Sequence, residues 1–412
     1  MTTDITLDVE FCRGHFPELS GDWVLMENAG GTLVPRQVID RLNRYATHCQ
    51  VQPGEGYPAS DNAQRMIDEG RATLAAIINA EPDEIVVGPS TTSNVYVLSH
   101  ALAPLFAPGD EIVVTNQDHE ANNGAWRRLE AVGVVVREWK MSAETDDLEL
   151  EDLEPLLNDR TRLVCFTHCS NIVGMIHDVK AIVKRIHQAG AMACVDGVAY
   201  TPHRRVDVKD LDVDFYLYSP YKIFGPHLGV LYGKREALAK TVSQNHYFVP
   251  GGDFQRSLCP GGPNHELTAA AGGITEYFDA AHEHHFPGAN LAQPERLDNV
   301  LRLFTAHETA MADRIDGYLT SKPAVRVIGR GAAARRERVG VFAFLVEGRD
   351  SRDVAARLRA AGIGAFADDF YAARCIDAIG ARPQNGVVRV SLVHYNSGED
   401  VDRLIGALEA IV

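Results

Sequence analysis

The chain has 412 residues, 45% of them hydrophobic and 23% charged, proportions that exclude a disordered or collagen-like polypeptide. Its 56 acidic against 40 basic side chains leave a formal charge of −16. So acidic a surface repels phosphate backbones and anionic lipid, and neither nucleic acid nor membrane is an expected partner.

The length exceeds what a single core usually supports and predicts a large domain plus a smaller one. The opening Met-Thr-Thr-Asp-Ile-Thr-Leu-Asp-Val-Glu has neither the basic start nor the apolar run of a secretory signal. Nowhere does an apolar stretch approach the roughly 20 residues needed to span a bilayer. Seven scattered cysteines, with Cys165 and Cys194 inside apolar runs, read as the reduced cysteines of a cytoplasmic protein.

From 85 to 235 one pattern repeats: a short apolar run, a cluster of polar or glycine residues, then a stretch with helical periodicity. The runs are 84–88, 111–115, 162–167, 191–195, 215–218 and 229–232. Between them lie crossover helices such as Asp178 to Ala189, whose Val179, Ile182, Val183 and Ile186 share a face. A mainly parallel sheet with helices on both faces follows. The last two runs are close enough for a hairpin or a short crossover.

Beyond 236 the pattern changes to loop punctuation at Pro250-Gly-Gly252, Pro260-Gly-Gly-Pro263 and His282-Glu-His-His285-Phe-Pro-Gly288. A helix over 291–320 leads to an α+β unit with strands near 324–328, 339–346 and 387–393, a helix at 351–361 and a closing helix from 398. Ser397, three residues before Asp400, is its expected cap. The division is an N-terminal segment (1–20), a large domain (21–290) and a small domain (291–412) on which the N-terminal segment packs.

Ligands of a parallel α/β sheet gather at the carboxyl ends of its strands, and there the chain is unusually polar. The first run is followed by Ser90-Thr91-Thr92-Ser93-Asn94 and a helical stretch, an anion site suited to phosphate. Later runs end in His119, in Ser170-Asn171, in Asp196 and in Ser219-Pro-Tyr221-Lys222. Phosphate hydroxyls, a ring-stacking histidine, a carboxylate for a pyridine nitrogen and an amine for an aldehyde together describe a site for pyridoxal phosphate. Lys222 is its Schiff-base lysine.

The sequence resembles the class V aminotransferase family of fold-type I pyridoxal-phosphate enzymes, in its cysteine-desulfurase-like branch. The resemblance runs from Leu25-Met-Glu-Asn-Ala-Gly-Gly-Thr32 to the closing helix. Its most specific pieces are Asp196 with Pro202-His203, then Asp214 to Gly229 around Lys222, and Arg389-Val-Ser-Leu-Val-His-Tyr-Asn396. It implies Lys222, His119 and Asp196 as catalytic residues, with His119 stacked on the ring. Thr91, Thr92, Ser93, Ser219, Tyr221 and Gly262 are implied around the phosphate, and Asn171 near the phenolic oxygen. Arg389 is implied as the clamp on the substrate carboxylate, with Asn171, Ala29 and Gly30 beside the substrate. A homodimer is implied as well, Pro260 to Glu266 being the segment lent across its interface.

The departures are informative. Tyr221 replaces the histidine before the lysine, and Ala199 a glutamine that contacts the phenolic oxygen. In the loop where desulfurases carry a nucleophilic cysteine, this chain has Tyr371, with Cys375 four residues on; the helix-face or core role suits Cys375 better. The substrate pocket is expected from Asn28 to Thr32, the Pro53 to Asp61 loop and the Phe366 to Tyr371 loop, with Phe366 making it less polar. His282 to His285, read as a solvated turn, is not a metal site, and Gly329-Arg-Gly331 lacks the context of a dinucleotide loop.

The resemblance therefore implies an amino acid that displaces Lys222 to form an external aldimine, with Lys222 then acting as base at Cα to give a quinonoid. Without the usual cysteine, β-elimination by a carbon–sulfur lyase on a cysteine-like substrate is the favoured outcome. Desulfuration through Cys375, transamination and epimerisation are the alternatives within the family. A catalytically silent binding module is the alternative of a different class.

Overall fold

The computed structural model describes residues 5–250, 252–329 and 337–412. The start of the N-terminal segment, Gly251 of the expected Pro250–Gly252 loop, and Arg330 and Gly331 lie outside the described residues. After a two-residue β1 (Val24–Leu25), seven strands build the larger sheet: β2 (Ile85–Gly88), β3 (Glu111–Thr115), β4 (Val135–Trp139), β5 (Thr161–Thr167), β6 (Met192–Asp196), β7 (Phe215–Tyr218) and β8 (Gly229–Gly233). Their spatial order is β2-β8-β7-β6-β5-β3-β4. Neighbours are parallel from β4 to β7, and β8 runs antiparallel to β7 and β2. The closely spaced last two runs thus form the hairpin.

Alternate residues of each strand enter opposite cores. Val164, Phe166 and Val195 join one, under the Val179–Gln188 helix and its Ile182, Val183 and Ile186. Leu163, Cys165 and Cys194 join the other, with Val95 and Leu98 of the Thr91–Leu102 helix. Coverage on both faces is why these strands read as continuous apolar runs. The strand that the sequence hides is β4, at the sheet edge, where only Trp139 is buried and Arg137 and Glu138 interrupt the apolar signal.

The second sheet contains β9 (Val325–Val327), β10 (Val341–Val346), β12 (Phe366–Asp368) and β13 (Val387–Ser391), in the antiparallel order β12-β13-β10-β9. Helices Ser351–Ala360 and Gly398–Glu409 cover it through Val354, Leu358, Leu404 and Leu408. The latter helix starts with a capping box between Ser397 and Asp400. The 28-residue helix Gln293–Thr320 gives Leu297, Val300 and Phe304 to the core of the larger sheet and Ile315 and Leu319 to that of the smaller. From the N-terminal side, β1 pairs in parallel with β11 (Ile363–Gly364), and Arg13 reaches Asp400 at 3.2 Å.

Three expectations need correction. His282 to His285 is the last turn of the helix Gly272–His285, whose Ile274, Tyr277, Phe278 and Ala281 are buried at helical spacing; the glycines and prolines on either side conceal that period. Helix Pro58–Ile77 absorbs the end of the Pro53 to Asp61 loop, with proline in its first turn. The Phe366 to Tyr371 loop begins as β12. Among the described residues, no helix is long and apolar enough to cross a membrane.

Gly229 fixes how closely β8 approaches the start of the Thr91–Leu102 helix. A Cβ there would lie 2.2 Å from the Ser90 carbonyl carbon and from the Thr91 amide nitrogen. Gly229→Ala is therefore expected to destabilise by about 1–3 kcal/mol, the usual scale of overpacking. A thermal midpoint equal to the wild type's would contradict this packing.

Candidate active site

A cavity of about 530 Å³ opens at the carboxyl ends of the parallel strands, among Ser90, His119, Thr167, Asp196, Ser219 and Lys222. Ser90 is the N-cap of the Thr91–Leu102 helix, and its side chain accepts the Ser93 amide hydrogen at 3.1 Å. The Thr91 and Ser219 hydroxyls meet at 2.7 Å, and Thr92 and Tyr221 complete this end of the wall. A helix N-terminus carrying hydroxyls from two elements is a ready phosphate cradle. Ser93 is spent on the cap, its hydroxyl 2.9 Å from that of Ser90, and does not line the cavity. Gly262 is exposed, at φ +84°, and also stands outside the cavity wall.

Lys222 closes a short 3-10 turn begun by Pro220 and is buried. Burial first, then the Arg389 charge, lowers its pKa to about 8, against the opposing pull of Asp196 and Glu27. Asp196, the last residue of β6, accepts the Val198 amide hydrogen at 2.8 Å. Its own burial raises it to about 6, although Val198 and Lys222 favour the ionised form. Asp118, buried nearby, is pushed upward by desolvation and by the Asp196 charge.

His119 Nδ1 accepts the Ala121 amide hydrogen at 3.0 Å, which assigns the ring proton to Nε2. Burial and the charges of Lys222 and Arg389 hold its pKa at about 3. A neutral imidazole therefore faces the cavity, suited to lie against an electron-poor ring.

Arg389 comes from β13 of the smaller sheet and is 2% exposed. It donates to the Asn171 carbonyl at 3.2 Å, pairs with Glu27, and lies under the Phe370 ring with the centroid at 3.7 Å. Asn171 Nδ2 in turn donates to the Phe370 carbonyl at 3.0 Å, while its Oδ1 is buried without a partner. Gly30 lines a second cavity, beside Glu27 and Phe366. Ala29 lines neither, and its amide is held by Ser391 Oγ at 2.8 Å. Cys375 lies in the core, fully buried, with its thiol pushed strongly upward. Tyr371 is 75% exposed.

The family profile described as aminotransferase class-V matches residues 24–259 and 299–404. The chain belongs to the class V aminotransferase family. It is 37% identical to the aminotransferase-like protein FGM3 of Gibberella zeae over 99% of both chains. It is 36% identical to the cysteine desulfurase-like protein ustD of Aspergillus flavus, over 98% of this chain and 91% of the other. The apo structure of a cysteine desulfurase from Thermococcus onnurineus superposes with a TM-score of 0.84 at 25% identity, covering 98% of each chain.

As a class V member the protein is a pyridoxal-phosphate-dependent enzyme, and its residues fit that cofactor. The helix N-terminus offers amides and hydroxyls to the phosphate, Asp196 a buried carboxylate to a protonated ring nitrogen, and Lys222 a desolvated amine to the aldehyde. Asn171, whose buried Oδ1 has no partner, also lines the cavity. Sequence reasoning missed Glu27 and Phe370 as the neighbours of Arg389. A lone acid directly after the apolar Val24–Met26 stretch was the available signal for the first, and the second had none.

The electrostatics fix signs. In cofactor-free protein, capture of a small aldehyde by Lys222 should rise through a midpoint near 8, where the amine loses its proton. Arg389→Gln removes a cation that lowers this pKa, so the midpoint should move up; Asp196→Asn removes an anion that raises it, so the midpoint should move down. A midpoint at the ordinary lysine value in wild type would mean that Lys222 is solvated.

Proposed function

We propose that this enzyme is a carbon–sulfur lyase that carries out β-elimination on a cysteine-like amino acid. The observation that carries the reading is the state of its thiols. All seven cysteines are buried, and burial pushes up those of Cys169, on the cavity wall, and Cys375. Persulfide transfer needs an accessible thiolate; sulfur here must instead leave with the substrate's own leaving group.

Bound pyridoxal phosphate supplies an electron sink next to Cα. The chain's residues do the rest. Arg389 orients the substrate through its carboxylate, a task for which a planar guanidinium is suited. Lys222, its ammonium disfavoured by burial, would take the Cα proton once the substrate amine has replaced it. Asp196 would hold the ring nitrogen protonated, and His119 would lie against the ring. As the Cβ–S bond breaks, its electrons leave with sulfur as a thiolate or sulfide, and the released aminoacrylate hydrolyses to pyruvate and ammonia.

The same reading takes the functional unit as a cytoplasmic homodimer, each subunit with a large domain over 21–290 and a small one over 291–412. Support comes from the seven unpaired cysteines and from exposed Tyr247 and Phe248, which precede the Pro260 to Glu266 segment in the chain.

Incubation of the cofactor-loaded protein with cysteine, cystine and cysteine sulfoxides, following sulfide, pyruvate and alanine together, tests the reaction. Pyruvate that is formed equally by wild type and Cys375→Ala is the expected result. Alanine with sulfide, lost in Cys375→Ala, would establish a desulfurase instead.

A further inference from the structure

The Arg389 guanidinium is enclosed, yet its pairing is incomplete. Nη1 donates to the Asn171 carbonyl, Nη2 pairs with Glu27 Oε1, and Phe370 covers one face. Nevertheless Nε has no partner, and neither has Glu27 Oε2, although both atoms are buried. A lasting arginine–carboxylate pair commonly makes two parallel hydrogen bonds. This one makes a single bond and leaves a donor and an acceptor of the same pair unsatisfied, which folded proteins ordinarily avoid.

Position explains the irregularity. Asn171 lines the cofactor cavity, whereas Glu27 lines a second, more open cavity together with Gly30, Phe366 and Tyr395. Arg389 touches a residue of each, although it lines neither. The main chain at Glu27 is fixed by a bridge to Ser391 and by its carbonyl accepting the Gly30 amide at 3.0 Å. Its side chain has freedom that Arg389 lacks, being 30% exposed against 3%. Gly30 leaves the carboxylate its place, since a Cβ there would come within 2.8 Å of Glu27 Oε1.

We propose that Glu27 is a placeholder for the substrate's α-carboxylate, holding one edge of Arg389 until the carboxylate displaces it into the second cavity. This rests on Arg389 as the carboxylate clamp of the proposed reaction. The exchange replaces one carboxylate by another beside the same cation, so the charge felt by Lys222 changes little when substrate binds. It also makes Glu27 part of the wall that the substrate's side chain meets, which ties carboxylate capture to the shape of the side-chain pocket. Affinity for a bare carboxylate is held down by the competition.

The test uses protein loaded with pyridoxal phosphate and two probes, propionate and propylamine, with binding followed by calorimetry and by the absorbance of the bound cofactor. Glu27→Gln and Glu27→Ala should each bind propionate about tenfold tighter than wild type, the scale of one charge-assisted contact no longer competed for. Both variants should still carry the bound-cofactor absorbance and change it on addition of propylamine, which shows that they are folded and loaded. Arg389→Gln should lose propionate binding. Equal or weaker propionate binding in both Glu27 variants would overturn the placeholder and leave Glu27 as a support for Arg389. Propionate binding unchanged in Arg389→Gln would instead remove the clamp, and with it the premise.

Discussion

A lysine amine acts as nucleophile or base at neutral pH only when its ammonium is disfavoured, and here that depends on denying Lys222 its water. The turn carrying it begins at the end of β7, in the middle of a sheet covered on both faces. That burial alone would also neutralise the site's other ionisable groups, and Asp196 and His119 are indeed both shifted toward their uncharged forms. What separates their roles is the pattern of neighbours. Asp196 has a backbone amide and the Lys222 cation to favour its ionised form, whereas His119 faces two cations and one backbone donor and stays neutral.

Much of this was legible in the sequence because strand ends are punctuated by composition. An apolar run that stops at Asp196, or at Ser219-Pro220-Tyr221-Lys222, marks both the end of a buried strand and the start of the site, since polar side chains are tolerated there only where they find partners. Lys222, Asp196, His119, Asn171, Thr91, Thr92, Ser219 and Tyr221 all reach one cavity. Ser93 does not. Ser93 was grouped with the phosphate residues by adjacency, but on a helix its hydroxyl turns back to the cap.

The less legible parts depend on long-range contacts without a local period. Glu27 and Arg389 lie 362 positions apart in the chain, and nothing in either neighbourhood announces the other. The β4 edge strand failed for a different reason, because one exposed side removes the uninterrupted apolar run by which its neighbours are recognised.

The loop that replaces the desulfurase cysteine shows how the smaller sheet serves the larger one. Phe370 and Tyr371 both adopt the left-handed conformation, at φ +50° and +58°, which costs a non-glycine residue about 1–2 kcal/mol each. Three hydrogen bonds offset this: Asn171 Nδ2 to the Phe370 carbonyl, the Glu120 amide to the Tyr371 carbonyl, and the Tyr371 amide to Asp369 Oδ1. At a net worth of about 1 kcal/mol apiece they bring the loop near balance. Two of the three run to residues of the cofactor cavity or next to it, since Asn171 lines it and Glu120 follows His119. The Phe370 ring is thereby fixed on Arg389, and Tyr371 is set 5.5 Å from the His119 ring. The loop thus ties Arg389 of the smaller sheet to His119 of the larger one. A loop committed to this backbone conformation holds the Phe370 ring rigidly against the Arg389 guanidinium.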